Sequence, residues 1–499
     1  MEWIYRLLPE TWLFINILFL LGTVALYKNK DELYTLYNIF LFSLIILVLS
    51  CVLQIFGFYY GDTIDTLDLS IGKVVIYSNG VFEVISKLVL SMIGLFIGVI
   101  LSNYFSKGKE EYRHRYFRPD TLPLYFMVIL GCFVLISASD FLTFLIGFEL
   151  VAIPSYFMIA MDNKNPKALE GSIKYFLIGS LATISIIISI LLFYIYTGSL
   201  YFDKDVNIFR YNGLLIGYAF LIVGILIKLA AFPLSLWIQD AYEGSRTPYL
   251  LIISTLPKIA VALFLIKLIS IYDFVPKAIV VFSALSMIMG TFFALTSNNI
   301  KRILAFSTIS NIGYMLIPLV SMTSIEKVIV FDFQALSIIY FYIFQYVLST
   351  ILFVSILVGI EEKVDELSLD QLKGFLSNKP VYSFFMIVSL LSLAGLPPTP
   401  GFIAKFYLFS YSYSYAPILV WIGIIMSVAS LYFYYRIAHV MYLEKNIQQE
   451  HSLETQNSQK NFLPTFGSYM LSFLILFMGI FPGFALNVIY LISMSLASA

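Results

Sequence analysis

Runs of roughly twenty predominantly apolar residues recur along the whole chain, and that length crosses ~30 Å of hydrocarbon as an α-helix. In lipid every backbone N–H and C=O must be satisfied within the protein, which leaves only helices or a closed barrel. The runs are continuous rather than alternating, so helices are expected. Fourteen segments fit this description, near residues 9–27, 36–58, 84–105, 121–138, 141–161, 172–197, 213–236, 248–271, 275–296, 302–321, 329–360, 380–411, 415–441 and 463–497. The stretch from Tyr59 to Asn79 is too polar for lipid and reads as a loop or hairpin outside it. The expected fold class is an all-α polytopic membrane protein. Composition agrees, with 12% charged residues against roughly 25% in a soluble domain.

The charges exclude several functions and set an orientation. Lys and Arg total 30 against 30 Asp and Glu, with no basic tail, so nothing points to nucleic acid. Cys51 and Cys132 both lie in apolar spans, which removes a disulfide framework and a CxxC motif. The first apolar run lacks an AxA-like cleavage site and reads as a retained helix. Loops after odd-numbered segments carry Lys109, Arg113, Arg115, Arg118, Lys164, Lys167, Arg246, Lys301 and Arg302, whereas the opposite side holds Arg6, Lys73, Lys204, Arg210, Lys277 and Lys327. By the positive-inside rule the first set faces the cytoplasm or its organellar equivalent, and both termini face the other way.

Charges within the spans are expensive, at about 2.5–3.5 kcal/mol each on insertion scales. Lys87 and Lys267 sit near segment ends and are expected to snorkel their ammonium groups to the interface. Glu149, Lys228, Lys258 and Lys405 do not admit that explanation. Pro233 follows Lys228 and interrupts the seventh segment, and Pro397, Pro398 and Pro400 interrupt the twelfth just before Lys405. Two readings follow. In the structural one, Glu149 and Lys228 form a buried ion pair that fixes helix packing, and the other lysines bind loosened backbone carbonyls. In the functional one, the four charges are a proton relay. A low-dielectric site penalises an ammonium ion, and a nearby carboxylate favours it again, so moving the carboxylate switches a lysine between holding and releasing a proton.

The arrangement of segments supports transport. Segments four to eight contain a carboxylate-bearing helix followed by a Pro-broken helix with Lys228; segments nine to thirteen contain a polar helix from Lys301 followed by a Pro-broken helix with Lys405. Five spans per unit is odd, so consecutive units are inverted, an architecture that places ion sites at the interface. The expected organisation is an N-terminal three-helix part and basic loop (1–120), a first repeat (121–271), a second repeat (272–441), and a polar loop with a C-terminal helix (442–499).

Three stretches carry a family likeness: KLAAFPLSLWIQDAYEGSRTP at Lys228–Pro248, KRILAFSTISNIGY at Lys301–Tyr314 and GLPPTPGFIAKFYLF at Gly395–Phe409. They resemble the proton-translocating antiporter-like subunits of respiratory complex I over roughly residues 84–441. Within those subunits the likeness is to the subunit 2 (chain N) branch, because Lys258 stands where siblings more often carry histidine and Lys405 where subunit 4 uses glutamate. The resemblance implies that Glu149 tunes Lys228, that Lys258 connects the half-channels, and that Lys405 ends the relay, with Lys174 a possible further member. Asp140 reads as a helix cap. Asn311 stands where many relatives carry histidine, which argues against proton entry there.

The family's activity is then a membrane-arm share in a proton-pumping NADH:ubiquinone oxidoreductase. No cofactor is expected in this chain, since His114, His439 and His451 lie in or beside loops and no cysteine cluster exists; flavin, iron–sulfur clusters and quinone belong to partner subunits. The implied partners are neighbouring membrane-arm subunits, the antiporter-like subunit 4 and the small 4L-type, together with lipid and no nucleic acid. Long apolar faces, and the long eleventh segment, point to burial against those neighbours. A Phe-, Tyr-, Ile- and Leu-rich composition hints at an organellar genome and so at the mitochondrial inner membrane, with a bacterial inner membrane the alternative. An Mrp-type cation/proton antiporter subunit shares nearly every motif, and a structural subunit with dead channel residues is a third reading. The orientation has a direct test: cysteines introduced at residues 109 and 204 should react with an impermeant maleimide from opposite sides of sealed vesicles.

Overall fold

The computed structural model describes residues 7–26, 32–60, 69–71, 74–107, 119–203, 206–272, 274–323, 333–361, 367–377, 379–443, 466–483 and 487. Of the features read above, Arg6, Lys73, Lys109, Arg113, Arg115, Arg118, Lys204, Lys327, His114, His451, the loop at 444–465 and most of the chain after residue 483 lie outside the described residues.

Helices dominate. In chain order they are α1 (Leu8–Leu26), α2 (Glu32–Tyr60), α3 (Val81–Lys107), α4 (Thr121–Ser137), α5 (Phe141–Ala160), α6 (Pro166–Thr197), α7 (Asn212–Leu229), α8 (Ile238–Gly244), α9 (Thr247–Tyr272), α10 (Ala278–Thr296), α11 (Ile300–Leu316), α12 (Phe333–Glu361), α13 (Pro380–Ala394), α14 (Pro400–Ser412), α15 (Pro417–Tyr442) and α16 (Phe466–Ile480). Among the described residues, eleven helices are long and apolar enough to cross a membrane, and three shorter apolar ones accompany them. The protein is a multi-pass membrane protein. The polar stretch before α3 contains an antiparallel hairpin, β1 (Leu69–Ile71) and β2 (Val74–Tyr77).

The core helices are α9, α11 and α12, whose most apolar stretches are buried over 100%, 100% and 94% of their length, whereas α6 and α15 are buried over only 33%. This corrects one expectation. The eleventh segment is long because it runs through the interior of this chain, and its burial needs no neighbouring subunit. Around that core, helices approach closely where glycine removes a side chain. A Cβ on Gly131 of α4 would stand 2.7 Å from Val151 N of α5, and one on Gly147 of α5 would stand 2.7 Å from Leu135 N of α4. The pair α10 and α11 repeats the device with Gly290 and Gly313, whose added Cβ atoms would stand 2.6 Å from Ser310 N and 2.8 Å from Met287 N. Small residues of this kind let backbones meet in a medium that offers no hydrophobic drive between helices.

The seventh and twelfth segments are both interrupted. The seventh segment stops at Leu229, before Pro233: Ala230 takes the left-handed conformation, with φ 67°, and its N–H closes back on Ile227 O and Leu226 O. A residue with a Cβ in that conformation costs about 1–2 kcal/mol, so the surrounding packing holds the break in place. The twelfth segment breaks at Gly395, φ 81°, and resumes at Pro400.

Lys87 and Lys267 are not snorkelling anchors. Lys87 Nζ lies 2.6 Å from the Glu10 carboxylate of α1 and also meets Asn79 Oδ1. Lys267 Nζ lies 2.8 Å from the Glu83 carboxylate of α3 and donates to Ser78 Oγ and Ile136 O. Each carboxylate is distant in sequence from its lysine, which is why spacing did not reveal the pairs. Because removing one partner of a buried pair leaves the other charge uncompensated, Lys87→Met should destabilise the protein by about 3–5 kcal/mol. Glu10→Gln in the Lys87→Met background should recover most of that loss, read as thermal aggregation midpoints of the purified complex.

Candidate functional site

The ends created by the two helix breaks position the candidate lysines. A helix end leaves orphan carbonyls that need donors, and no water from the bilayer can supply them. At the first break, Lys258 Nζ from α9 donates to Leu229 O, the last residue of α7, at 3.1 Å. At the second, Lys405 Nζ from α14 donates to Ala394 O, the last residue of α13, at 2.8 Å, and to Ser427 Oγ at 3.1 Å. Both lysines are buried. In this respect they match the structural reading, which placed them on loosened carbonyls.

Lys228 does not. Its ammonium group is buried, only 3% of the residue is exposed, and Nζ makes no hydrogen bond. It sits instead among three rings, 5.2 Å from the centroid of Phe148, 5.4 Å from Tyr156 and 5.2 Å from Tyr175. Ring faces attract a cation by only about 0.5–2 kcal/mol each, less than a full set of hydrogen bonds. Glu149 is half-buried, and its carboxylate accepts a hydrogen bond from the Thr183 hydroxyl of α6. The buried Glu149–Lys228 ion pair of the structural reading is absent from this arrangement. The Lys228 ammonium thus has ring faces in place of an oxygen partner.

An aromatic pair touches both Lys228 and Lys258. Trp237, just before α8, donates its indole N–H to Ile227 O at 3.0 Å, and its ring lies 5.6 Å from Lys258 Nζ. Tyr175 of α6 stacks on it at 4.1 Å and 10°. Beyond Lys258, α11 and α12 face each other with polar side chains: Tyr346 donates to Thr308 Oγ1 at 2.8 Å, Tyr342 donates to Asn311 Oδ1 at 2.6 Å, and Asn311 Nδ2 donates to Ser307 O at 2.8 Å. Ser307 and Tyr434 hydroxyls meet at 2.5 Å. Tyr314, one turn further along α11, brings its ring 4.9 Å from Lys405 Nζ. Hydroxyl and amide groups thus form a buried polar network along α11, with Tyr314 at the Lys405 end. Their signal in the sequence is the polar face of FSTISNIGY; the tyrosines of α12 look like any apolar-span tyrosine.

Lys174 stands apart from this row. Its side chain is 42% exposed and pairs with Glu170 at 2.6 Å and Asp240 at 2.7 Å. It belongs to an ionic cluster around α8 that the sequence reading did not anticipate. Arg302 of α11 reaches Asp240 at 3.3 Å and also pairs with Glu243, which Lys167 meets at 3.0 Å. Nearby, Arg246 pairs with Asp162 at 2.7 Å, and Lys301 pairs with Glu361 at 2.6 Å. Asp140 is a cap, as expected, accepting from Leu142 N and Thr143 N at the start of α5.

Against this geometry the comparisons with known proteins are specific. The profile of the family described as NADH:quinone oxidoreductase/Mrp antiporter, TM, matches residues 138–432. The chain belongs to this family. The chain is 29% identical over 424 residues to NADH-quinone oxidoreductase subunit N of Hydrogenovibrio crunogenus, covering 82% of this chain and 84% of that one. It is 30% identical over 420 residues to subunit N 1 of Chloroherpeton thalassium, covering 81% and 83%, and 32% identical over 341 residues to subunit N of Methylovorus glucosotrophus, covering 66% and 69%. Its fold is similar to a chain of respiratory complex I from Thermus thermophilus, with a TM-score of 0.73, 21% identity and coverage of 96% and 98%. It is also similar to a chain of the Mrp complex from Dietzia, with a TM-score of 0.82, 17% identity and coverage of 99% and 97%. The family is thus that of the antiporter-like membrane subunits, and the matched region holds Glu149, Lys228, Lys258 and Lys405.

The ionic cluster makes a pH prediction. Burial pushes the Glu243 carboxyl up, but Lys167 and Arg302 outweigh burial and hold it below the usual carboxylate range. A depressed native value means that the stabilisation is present above the unfolded-state value and is lost as pH falls through the native one. Amides of 238–244 should therefore exchange faster at acid pH, after correction for intrinsic rates. Glu243→Gln should exchange fast already at neutral pH, with the acid dependence gone.

Proposed function

We propose that this chain is a membrane-arm subunit of a proton-pumping NADH:quinone oxidoreductase and supplies one proton channel. The observation that carries the reading is the buried Lys228 ammonium with no hydrogen bond beside a broken helix, in a family whose relatives here are named NADH-quinone oxidoreductase subunit N. Lys228 takes a proton when the Glu149 carboxylate approaches and releases it when that carboxylate swings back to Thr183. The proton passes to Lys258 and through the hydroxyl-lined interior to Lys405, which discharges it on the other side. Lys174 acts from the ionic cluster rather than as a relay member.

The chain crosses the membrane fourteen times in this reading, which takes α8 as too short to span and α13 with α14 as one crossing; the sixteen helices among the described residues are compatible with it. The first repeat is 121–271 and the second 272–441, flanked by 1–120 and 442–499; the matching glycine-clasped pairs α4/α5 and α10/α11, and the break in each unit, support this division. NADH oxidation and quinone reduction, with their flavin and iron–sulfur clusters, belong to partner subunits, and neighbouring antiporter-like and 4L-type subunits are the lateral partners. The membrane is an energy-coupling one, the mitochondrial inner membrane by residue bias or a bacterial inner membrane by the source of the relatives. The likeness to the Mrp chain favours a second reading, a cation/proton antiporter subunit, which predicts sodium-dependent proton exchange without NADH.

The test is proton pumping and NADH-linked quinone reduction recorded together in sealed membranes. Lys228→Ala should lower both several-fold while the complex stays assembled. Lys228→Arg should do the same, because a guanidinium keeps the charge but does not release its proton. Normal values in both variants would make Lys228 a packing charge and end the channel reading.

A further inference from the structure

The α6–α8 contact contains two neighbouring interactions of different kinds. Lys174 and Tyr175 are consecutive on α6, and Trp237 and Asp240 are three residues apart across the start of α8. Lys174 pairs with Asp240 at 2.7 Å, and Tyr175 stacks on Trp237 at 4.1 Å. The ion pair is partly exposed, whereas both rings are buried. Displacing one contact therefore shears the other.

The stack touches two candidate relay groups, one on each ring. Its Tyr175 ring lies 5.2 Å from Lys228 Nζ and its Trp237 ring lies 5.6 Å from Lys258 Nζ. Two stacked aromatic rings offer no hydrogen-bond path across their faces, and their bulk excludes a water chain. A helix of 7 residues is too short to hold its place by its own hydrogen bonds. What holds α8 is the ionic cluster from α6 and α11, close backbone contacts at Gly171 and Gly244, and the indole bond from Trp237 to Ile227 O.

We propose that the Tyr175–Trp237 stack is a movable partition that separates Lys228 from Lys258, and that the Lys174–Asp240 ion pair is its latch. The proposal rests on the relay reading of the lysines. When the latch holds, a proton on Lys228 stays there; when α8 shifts, the rings part and the two lysines share water. Asp240 also faces Arg302 of α11, in the second repeat, so the latch senses the position of that repeat as well. Tyr175 and Trp237 are positioning residues, since neither takes up the proton.

The experiment measures protons pumped per NADH oxidised by the assembled complex in sealed membranes. Trp237→Ala should open the partition and let protons slip back, so the ratio falls although electron transfer continues. Trp237→Phe, which keeps an aromatic wall, should restore the ratio. Lys174→Met, at the partly exposed latch, should lower the ratio in the same way, and Lys174→Arg should restore it. This signature differs from Lys228→Ala, in which pumping and electron transfer fall together. Unaltered ratios in Trp237→Ala and Lys174→Met, in a complex where Lys228→Ala abolishes pumping, would overturn the partition and leave the relay standing. Normal pumping in Lys228→Ala would remove the relay, and the partition with it.

Discussion

A backbone carbonyl released in lipid has to find a donor inside the protein, and much of this structure is arranged around two places where that happens. At Leu229 and at Ala394 a helix stops inside an apolar segment, and in each case a lysine from a neighbouring helix donates to the freed oxygen. The break and the charge explain each other. An unsatisfied carbonyl costs several kcal/mol in hydrocarbon, and so does a lone ammonium; brought together, each reduces the other's penalty. Such a pairing is stable yet replaceable, because water entering the site offers both groups equivalent partners.

Lys228 shows what happens without that compensation. It ends the helix beside the first break, but its ammonium finds three aromatic rings and no oxygen. The nearest carboxylate on α5, Glu149, is turned to Thr183 of α6. The three lysines therefore stand in two kinds of site, two of them anchored on carbonyls and Lys228 among rings. Elsewhere the chain is held by glycine-clasped helix pairs, by the deeply buried α9 and α11, and by two buried ion pairs, Glu10–Lys87 joining α1 to α3 and Glu83–Lys267 joining α3 to α9.

The sequence misled where a partner was remote. Lys87 and Lys267 looked like interfacial anchors because each sits near a helix end and its carboxylate, Glu10 or Glu83, belongs to another helix. The break beside Lys228 contains Pro233, but the residue that turns the chain out of α7 is Ala230, whose left-handed conformation has no signature in the sequence. The ionic cluster around Asp240, Glu243, Arg302 and Lys174 escaped notice because its members are far apart in the chain and ordinary in composition. Asp140 was legible, since a cap is a local interaction between a side chain and the next two or three amides.

What the sequence determined by itself was what depends on local cost. Run length demands helices across a bilayer, a charge in an apolar run demands an interior, and three ordered motifs mark the family. Those inferences need only the free energy of a residue in its own segment. The tertiary structure alone decided which oxygens Lys258 and Lys405 found, that Glu149 and Lys228 stand apart, and that the Tyr175 and Trp237 rings stack beside Lys228 and Lys258. Those facts depend on how distant helices are brought together, and the packing of side chains separated by tens or hundreds of residues is not written in the cost of any one of them.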